Sequence, residues 1–360
     1  MLIWFRWAML TSKQNVNESG GPAKPQRPHC RDEGLDFVKG MLVVGMVVFH
    51  SSVLFIPEPT MSHVIRALDF IGGSWVFISG LIVALHYAPR FMNAPRFYSI
   101  RLCRRGIKVL LVFGVLNLLI IEAGLSRYPG PFDWQYVWTV LTAGGGHLSS
   151  FEVLLGIAYM LMLSPILLVS GRTGLYLGAA LVLGIGLMGE SGYTLPTNVW
   201  VVLCGVGGYV CGVILRHEAF GQAVASKQKR AQLLVVAVGA IATYYMLVFQ
   251  YEFSRIHLHT YLLGIAGILG TSYLLYPVVR RAPYLEGLLR LCGRYSLVAY
   301  IWQMGVIWSW HGIARATAVD VPFVIDFAIV FSVLLVSLWV LDATIRHDWR
   351  ARRAYELVFN

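Results

Sequence analysis

The chain has 360 residues, of which 57% are hydrophobic and only 13% are charged, a composition far from that of ordinary soluble domains. Apolar stretches long enough to cross a bilayer recur along it, and a soluble fold of this length could not bury so many helices on all sides. The net charge of +11 would suit a nucleic-acid binder, but the cations are concentrated in alternate loops. The composition therefore indicates an all-α, polytopic membrane protein without a nucleic-acid partner.

Hydrophobic segments divide the chain into about ten predicted transmembrane helices. Their ranges are 35–56, 68–88, 106–124, 151–170, 174–190, 197–215, 231–250, 258–278, 296–312 and 322–342. Of the 29 Lys and Arg residues, 25 lie on the side that carries both termini, so the positive-inside rule places both termini in the cytoplasm. We expect a cytoplasmic tail at 1–30, one integral-membrane domain at 31–345 and a basic cytoplasmic tail at 346–360.

The first predicted helix carries three polar side chains toward one face. Asp36 and Lys39 stand at its start, and His50 lies eleven residues after Lys39, about three turns and roughly 16 Å further along. An ionisable group inside an apolar helix is by default a functional candidate. The alternative is that Asp36 and Lys39 are interfacial residues and that His50 is satisfied inside the bundle.

The second predicted helix contains small residues at 72, 73, 79 and 80. Such residues let helix backbones approach closely, so Ser79 has two interpretations, helix packing or substrate binding. The spacing does not decide between them.

Four cations precede the third predicted helix at spacings that gather them on one helix face. They are Arg101, Arg104, Arg105 and Lys108. An Arg cluster of this kind suits the phosphates of a cytosolic cofactor, since guanidinium groups bind phosphate oxygens bidentately. The alternative is a topological anchor, which requires positive charge but no particular face.

Two further regions contribute polar candidates. His147 and Glu152 flank the start of the fourth predicted helix, where Glu152 could orient an imidazole or simply favour the positive helix N-terminus. Gln303 places an amide inside the ninth. The five cysteines and ten histidines show no metal-type spacing, and there is no nucleotide-binding loop or dinucleotide fingerprint.

Four segments of the chain occur in an order that resembles one family, and a fifth, at Phe151, resembles one of its branches. They are Leu35-Asp-Phe-Val-Lys-Gly40 with His50, Phe77-Ile-Ser-Gly80, Arg101-x-x-Arg104, Phe151-Glu-Val-Leu-Leu with Pro165, and Gly293-Arg-Tyr-Ser-Leu with Tyr300. Over residues 31–345 this series resembles the membrane acyltransferase family 3. The segment at Phe151 is similar to its periplasmic-glucan succinyltransferase branch.

Three positions depart from the pattern of that family. Lys39 stands where many relatives have Arg, and Leu155 stands where the glucan branch has Pro. Gln303 lies where many members have a histidine, so no role of a late-helix histidine is carried over. The branch within the family stays open.

The resemblance implies transfer of an acyl group, acetyl or succinyl, from cytosolic acyl-CoA to a hydroxyl of a carbohydrate or glycan. Acetyl-CoA is the expected donor, and no metal is expected. The expected location is the bacterial inner membrane, with the lipid bilayer and the glycan acceptor as partners. Formation of a homo-oligomer is left open.

These considerations assign a role to each candidate residue. His50 is the general base, since an imidazole titrates near neutral pH, and Asp36 or Glu152 orients its ring. The expected CoA-phosphate ligands are Lys39, Arg101, Arg104 and Arg105. The expected acceptor-binding residues are Ser79, His147 and Gln303. The alternative function is a secondary transporter or flippase for an anionic or glycan substrate, although the two halves of the chain show no duplication of the kind such proteins often carry.

Overall fold

A computed structural model describes most of the chain beyond the N-terminal tail. The described residues are 33–123, 133–144, 151–190, 196–216, 227–250, 258–317 and 321–359. Within these ranges the protein is helical throughout and has no strand. The all-α fold class is therefore confirmed for the described part of the chain. The predicted tail 1–30 and His147 lie outside it.

Fifteen α-helices and one π-helical turn, Val83–Tyr87, make up the described structure. The α-helices are α1 Glu33–Phe55, α2 Thr60–Leu68, α3 Phe70–Ile82, α4 Ala88–Phe91, α5 Pro95–Glu122, α6 Trp134–Ala143, α7 Glu152–Val169, α8 Gly171–Glu190, α9 Thr197–Leu215, α10 Lys227–Gln250, α11 Leu258–Val279, α12 Pro283–Arg294, α13 Ser296–Thr317, α14 Phe323–His347 and α15 Trp349–Phe359.

Seven helical segments of the described chain are long and apolar enough to cross a membrane. They are α1, the continuous stretch Thr60–Phe91, α7, α9, Arg230–Gln250 of α10, α11 and α14. Each of the ten predicted segments is helical, but α5, α8 and α13 do not meet this criterion. Helix α5 carries too many charged residues, and polar residues within α13 lower its hydropathy. The integral-membrane character is thus supported, whereas the count of ten is not confirmed.

Helix α1 lies at the centre of the larger hydrophobic core. It contacts α2, α3, α11, α12, α13 and α14, and its buried side chains include Phe37, Val38, Leu42 and Val47. A hydrophobic stretch surrounded by other helices keeps few residues for lipid contact. Polar side chains on α1 are therefore placed inside the protein.

A second, smaller core joins α3, α5, α7 and α9. Val76, Leu102 and Met160 are fully buried in it, and the buried Tyr209 hydroxyl donates a hydrogen bond to the carbonyl of Leu167 at 2.9 Å. This core fixes α7, and with it the position of Glu152, relative to α5.

Two amphipathic helices that were not predicted, α12 and α15, lie at the same end of the bundle as the start of α5. The ring of Tyr355 on α15 contacts Tyr295 at 5.5 Å between centroids, and Lys108 Nζ donates to the carbonyl of Leu357 at 2.6 Å. We call this end of the bundle the basic end. Most of the predicted tail 346–360 is thus a helix docked on the bundle.

Candidate functional site

At the basic end, α1 begins with a paired carboxylate. Asp36 is only 5% exposed, and Lys39 Nζ donates a hydrogen bond to its Oδ1 at 3.2 Å. One helical turn separates the two residues, which is the spacing at which helical ion pairs form. The structure therefore brings these two predicted residues together at the start of α1.

The backbones of α1 and α12 touch beside this pair. A Cβ added to Gly40 would lie 1.9 Å from the carbonyl oxygen of Leu289, and one added to Gly293 would lie 1.6 Å from that of Asp36. Only glycine permits such an approach between two helices. Gly40 and Gly293 belong to the first and last segments of the family resemblance, and here both serve packing.

His50 lies fourteen residues beyond Asp36, about 21 Å along α1. Its ring contacts Phe49 at 5.3 Å and Tyr300 at 6.5 Å between centroids. Its Nε2 atom and the Ser51 hydroxyl are buried without a hydrogen-bond partner among the described residues. A buried polar atom without a partner costs about 1–3 kcal/mol, so the interpretation of His50 as a satisfied core histidine is not supported.

Tyr300 joins His50 to the start of α7. Its ring contacts the Phe151 ring at 5.7 Å, and its hydroxyl accepts a hydrogen bond from the backbone N–H of Val153 and lies within electrostatic range of Glu152. His50 and Glu152 thus flank the same tyrosine. Sequence reasoning noted Tyr300 only as part of a motif and gave it no role in the site.

Glu152 stands in the first turn of α7, where the helix begins after Phe151 in a left-handed conformation, φ 62°. The partial positive charge of a helix N-terminus stabilises a carboxylate at this position. Its Oε1 atom is buried. The position of Glu152 therefore allows both predicted roles, stabilisation of the helix N-terminus and support of an imidazole.

Gln303 follows Tyr300 by one turn of α13. The residue has no exposed surface, and neither its Oε1 nor its Nε2 has a hydrogen-bond partner among the described residues. Further along the same helix, His311 contacts Phe55 of α1 at 5.5 Å between ring centroids. Gln303 therefore lies in the stretch of α13 that follows α1 from His50 to Phe55.

The Ser79 hydroxyl donates to the carbonyl of Trp75 on its own helix at 3.0 Å. Its neighbour Gly80 approaches α9 so closely that an added Cβ would lie 1.9 Å from the carbonyl oxygen of Gly205. The close contact between Gly80 and α9 thus supports the interpretation that this segment serves helix packing. No described contact brings Ser79 to His50, and its predicted role in substrate binding stays a prediction.

The four cations of α5 fall into two groups. Arg105 donates to the Tyr87 hydroxyl and Lys108 to α15, whereas Arg101 and Arg104 are exposed and have no ion-pair partner among the described residues. An open groove of about 490 Å³ runs beside Arg104. It is lined by Ser99, Ile100, Cys103, Arg104, Ile107 and Lys108.

The exposed arginines lie on the side of α5 away from α7. The opposite face packs on α7, where a Cβ on Gly106 would lie 2.9 Å from the carbonyl oxygen of Ala158. From Ala158 to Glu152 is six residues, about 9 Å along the helix. Glu152 thus lies beyond the contact between α5 and α7, and the basic end is further from the Tyr300 site, since Asp36 lies about 21 Å from His50 along α1.

Asp342 of α14 anchors the start of α13 and was missed by sequence reasoning. Its carboxylate accepts hydrogen bonds from Arg294 at 3.1 Å and from the Tyr295 hydroxyl at 2.7 Å, and it also pairs with Arg346. Burial and the hydrogen bond to Asp342 raise the pKa of Tyr295 to about 12, so the phenol stays protonated at neutral pH. This cluster ties α14 to the junction between α12 and α13. It therefore fixes the start of α13, the helix that carries Tyr300 and Gln303.

No group of three or more His, Cys, Asp or Glu side chains in the described part of the chain is arranged to hold a metal ion. The absence of a metal from the reaction stays a prediction. His147, the remaining candidate, lies outside the described residues.

Polar groups on α1, α7 and α13 thus converge inside the bundle, and we call His50, Glu152, Tyr300 and Gln303 the central site. Such an arrangement can bind a polar molecule and move a proton at His50 Nε2. No family model matches the chain, and no curated protein or solved structure matches it either.

Proposed function

We propose that this protein is an integral-membrane acyltransferase that moves an acyl group from acyl-CoA to a hydroxyl of a carbohydrate or glycan. The observation that carries the proposal is the buried Nε2 atom of His50, which lies beside Tyr300 and has no described partner. A general base must offer an unoccupied lone pair to the proton it removes. A substrate hydroxyl would supply the missing hydrogen bond.

The proposed reaction is a direct transfer. His50 Nε2 takes the proton of the acceptor hydroxyl as its oxygen attacks the thioester carbonyl carbon. The carbon–sulfur bond then breaks, and the CoA sulfur leaves with the proton from the His50 imidazolium. Glu152, which shares Tyr300 with His50, stabilises that imidazolium. Asp36 lies about 21 Å away along α1 and is paired with Lys39, so Glu152 fits this role better.

The donor is proposed to bind from the basic end, with acetyl-CoA as the expected donor and succinyl-CoA as the alternative. Arg101 and Arg104 are exposed and would contact its phosphates. Arg105 and Lys39 already have protein partners, and their assignment as phosphate ligands requires those bonds to rearrange. Acceptor binding by Gln303, Ser79 and His147 completes the proposal.

The proposed setting is a bacterial inner membrane crossed by about ten helices, with both termini in the cytoplasm. The distribution of 25 of 29 Lys and Arg residues supports this orientation. Reporter fusions at residues 20 and 355 should both report the cytoplasm. An external readout from either fusion would contradict the topology.

A transporter or flippase for a polar substrate is the second candidate. Buried polar atoms without partners, such as those of His50 and Gln303, would also line a substrate path. A transporter moves its substrate unchanged, whereas an acyltransferase consumes a thioester. The two functions therefore differ in a product that can be measured directly.

The test is acyl transfer by the purified protein in lipid nanodiscs. Radiolabelled acetyl-CoA and succinyl-CoA are each supplied with a panel of polysaccharide and oligosaccharide acceptors, and label in the glycan is measured beside release of free CoA. Empty nanodiscs are the control. We expect labelled glycan with at least one acceptor. Flux of unmodified glycan into proteoliposomes, without any label transfer, would replace the proposal by the transporter.

A further inference from the structure

Helix α7 begins inside the protein. The Phe151 ring at its start contacts Tyr300 of α13, and a Cβ on Gly72 of α3 would lie 3.6 Å from the Val153 side chain. The first amides of a helix have no acceptor within the helix. Their partial positive charge favours negative charge at this place.

No side chain at the N-cap accepts a hydrogen bond from these amides, since Phe151 has no side-chain acceptor. The Val153 N–H donates instead to the Tyr300 hydroxyl. Because the tyrosine oxygen accepts this bond, its own O–H is polarised toward a further acceptor. The Tyr300 ring contacts that of His50 in the central site, at 6.5 Å between centroids.

An independent observation points to the same place. Gln303 lies one turn beyond Tyr300 on α13, a spacing that puts both side chains on one helix face. The Gln303 amide is fully buried and has no described hydrogen-bond partner. A buried amide requires partners, and its Nε2 offers two donors.

We infer that Tyr300 and Gln303 form a site for the carbonyl oxygen of the acyl group, and that they stabilise the oxyanion produced during transfer. This inference rests on the proposed acyltransferase function, and it reassigns Gln303 from the acceptor to the acyl carbonyl oxygen. As the acceptor oxygen bonds to the thioester carbon, the carbonyl electron pair moves onto its oxygen. The Tyr300 O–H and the Gln303 N–H donate to that oxyanion until the electron pair returns to the carbonyl and the CoA sulfur leaves with the proton from His50.

Two charges develop in this step, one on His50 and one on the carbonyl oxygen. When His50 accepts the proton it becomes positive, and the neighbouring Glu152 carboxylate compensates that charge. The oxyanion is then held by neutral donors on α13, near the N-terminus of α7. Preorganised donors of this kind act on charge that develops only in the transition state, so they raise kcat more than they tighten binding.

The test measures kcat and KM for acyl-CoA in Gln303→Leu and Tyr300→Phe, in nanodiscs, beside the wild type. Gln303→Leu should lower kcat on the order of 10²–10³-fold with little change in KM. Tyr300→Phe should also lower kcat. Gln303→His keeps a hydrogen-bond donor and should retain part of the kcat that Gln303→Leu loses. Gln303→Glu has no donor when the carboxyl is ionised, so its kcat should stay low.

Met304→Leu is the matched control, since this buried neighbour on α13 has no polar role and changes little in volume. Its kcat should equal that of the wild type. Thermal melting of each variant shows whether the fold is kept.

The outcomes separate this inference from the function on which it rests. If the wild type transfers acyl groups and both Gln303→Leu and Tyr300→Phe keep its kcat, the carbonyl-oxygen site is overturned and the acyltransferase function stands. A raised KM with unchanged kcat would likewise overturn it, since that pattern reports binding of the ground state. A wild type that transfers no acyl group to any acceptor would remove both proposals.

Discussion

The two ends of α1 differ in what their polar groups contact. At the basic end Asp36 is paired with Lys39, and the backbones of α1 and α12 touch at Gly40 and Gly293. Toward the other end His50 has a buried nitrogen without a described partner. One helix therefore has a packed end, where the polar side chains are paired, and an incomplete end, where a buried nitrogen has no described partner.

Residues that stabilise the fold and residues proposed to act on substrate therefore lie at different ends of one helix. Close packing and satisfied polar groups lower the free energy of the folded state. Buried groups without partners raise it, and they occur where a substrate supplies the missing contacts. The two ends should accordingly respond to mutation in opposite ways.

The largest effect is expected at the incomplete end. His50→Gln keeps a hydrogen-bonding side chain but cannot take a proton, so acyl transfer should fall on the order of 10²–10⁴-fold. Its melting temperature should stay within about one or two degrees of that of the wild type, because the replacement removes no packing. Label transfer and thermal melting in nanodiscs measure both quantities.

His63→Gln is the control for this change, because His63 is an exposed histidine on α2 and should tolerate the replacement. Full turnover in His50→Gln would place the base elsewhere, and His147 would be the next candidate. A large drop in melting temperature would instead make His50 a structural residue.

The packed end should show the reverse pattern. Gly293→Ala places a Cβ 1.6 Å from the Asp36 carbonyl oxygen, so α12 must move away from α1. Overpacking of this kind costs about 1–3 kcal/mol, and we expect a lower melting temperature. The catalytic rate of the protein that remains folded should change less than in His50→Gln.

Gly287→Ala, on the same helix, is the matched control, since nothing lies within 4 Å of its added Cβ. It should keep or raise the melting temperature because Ala is the better helix former. Equal melting temperatures for Gly293→Ala and Gly287→Ala would show that the contact between α1 and α12 does not stabilise the protein.

The smallest effect of mutation is expected on the exposed face of α5. This surface region can be compared with the two buried ends of α1. Replacing Arg101 and Arg104 by Gln should raise KM for acyl-CoA about tenfold, equivalent to about 1.4 kcal/mol, with kcat nearly unchanged. The same double change at Arg280 and Arg281, also exposed, removes equal charge and is the control. An unchanged KM would leave the basic face as a topological anchor.

Much of the helical order could be predicted from the sequence. All ten hydrophobic segments are helical in the described chain, and α9 runs from Thr197 to Leu215 as predicted. Hydrophobic runs of this length have no other way to satisfy their backbones in lipid. Helices α12 and α15 were not predicted, because short amphipathic segments beside charges also occur in loops.

The candidate site was predictable only where a residue is unusual within its own helix. His50 and Gln303 stand out as polar groups in apolar stretches. Tyr300 and Asp342 do not, since a tyrosine in a membrane helix is common and a carboxylate near four C-terminal cations suggests an exposed pair. Their importance depends on partners distant in the chain, from 47 residues for Asp342 and Tyr295 to 250 residues for Tyr300 and His50.

By itself the sequence determined the helical class, the apolar segments and a small set of polar candidates, because these follow from local composition. Only the tertiary structure decided which candidates meet. It pairs Asp36 with Lys39, places Tyr300 between His50 and Glu152, and turns Arg101 and Arg104 to the exposed side of α5. Helix periodicity fixes the face on which a side chain lies, but packing against other helices decides what that face contacts.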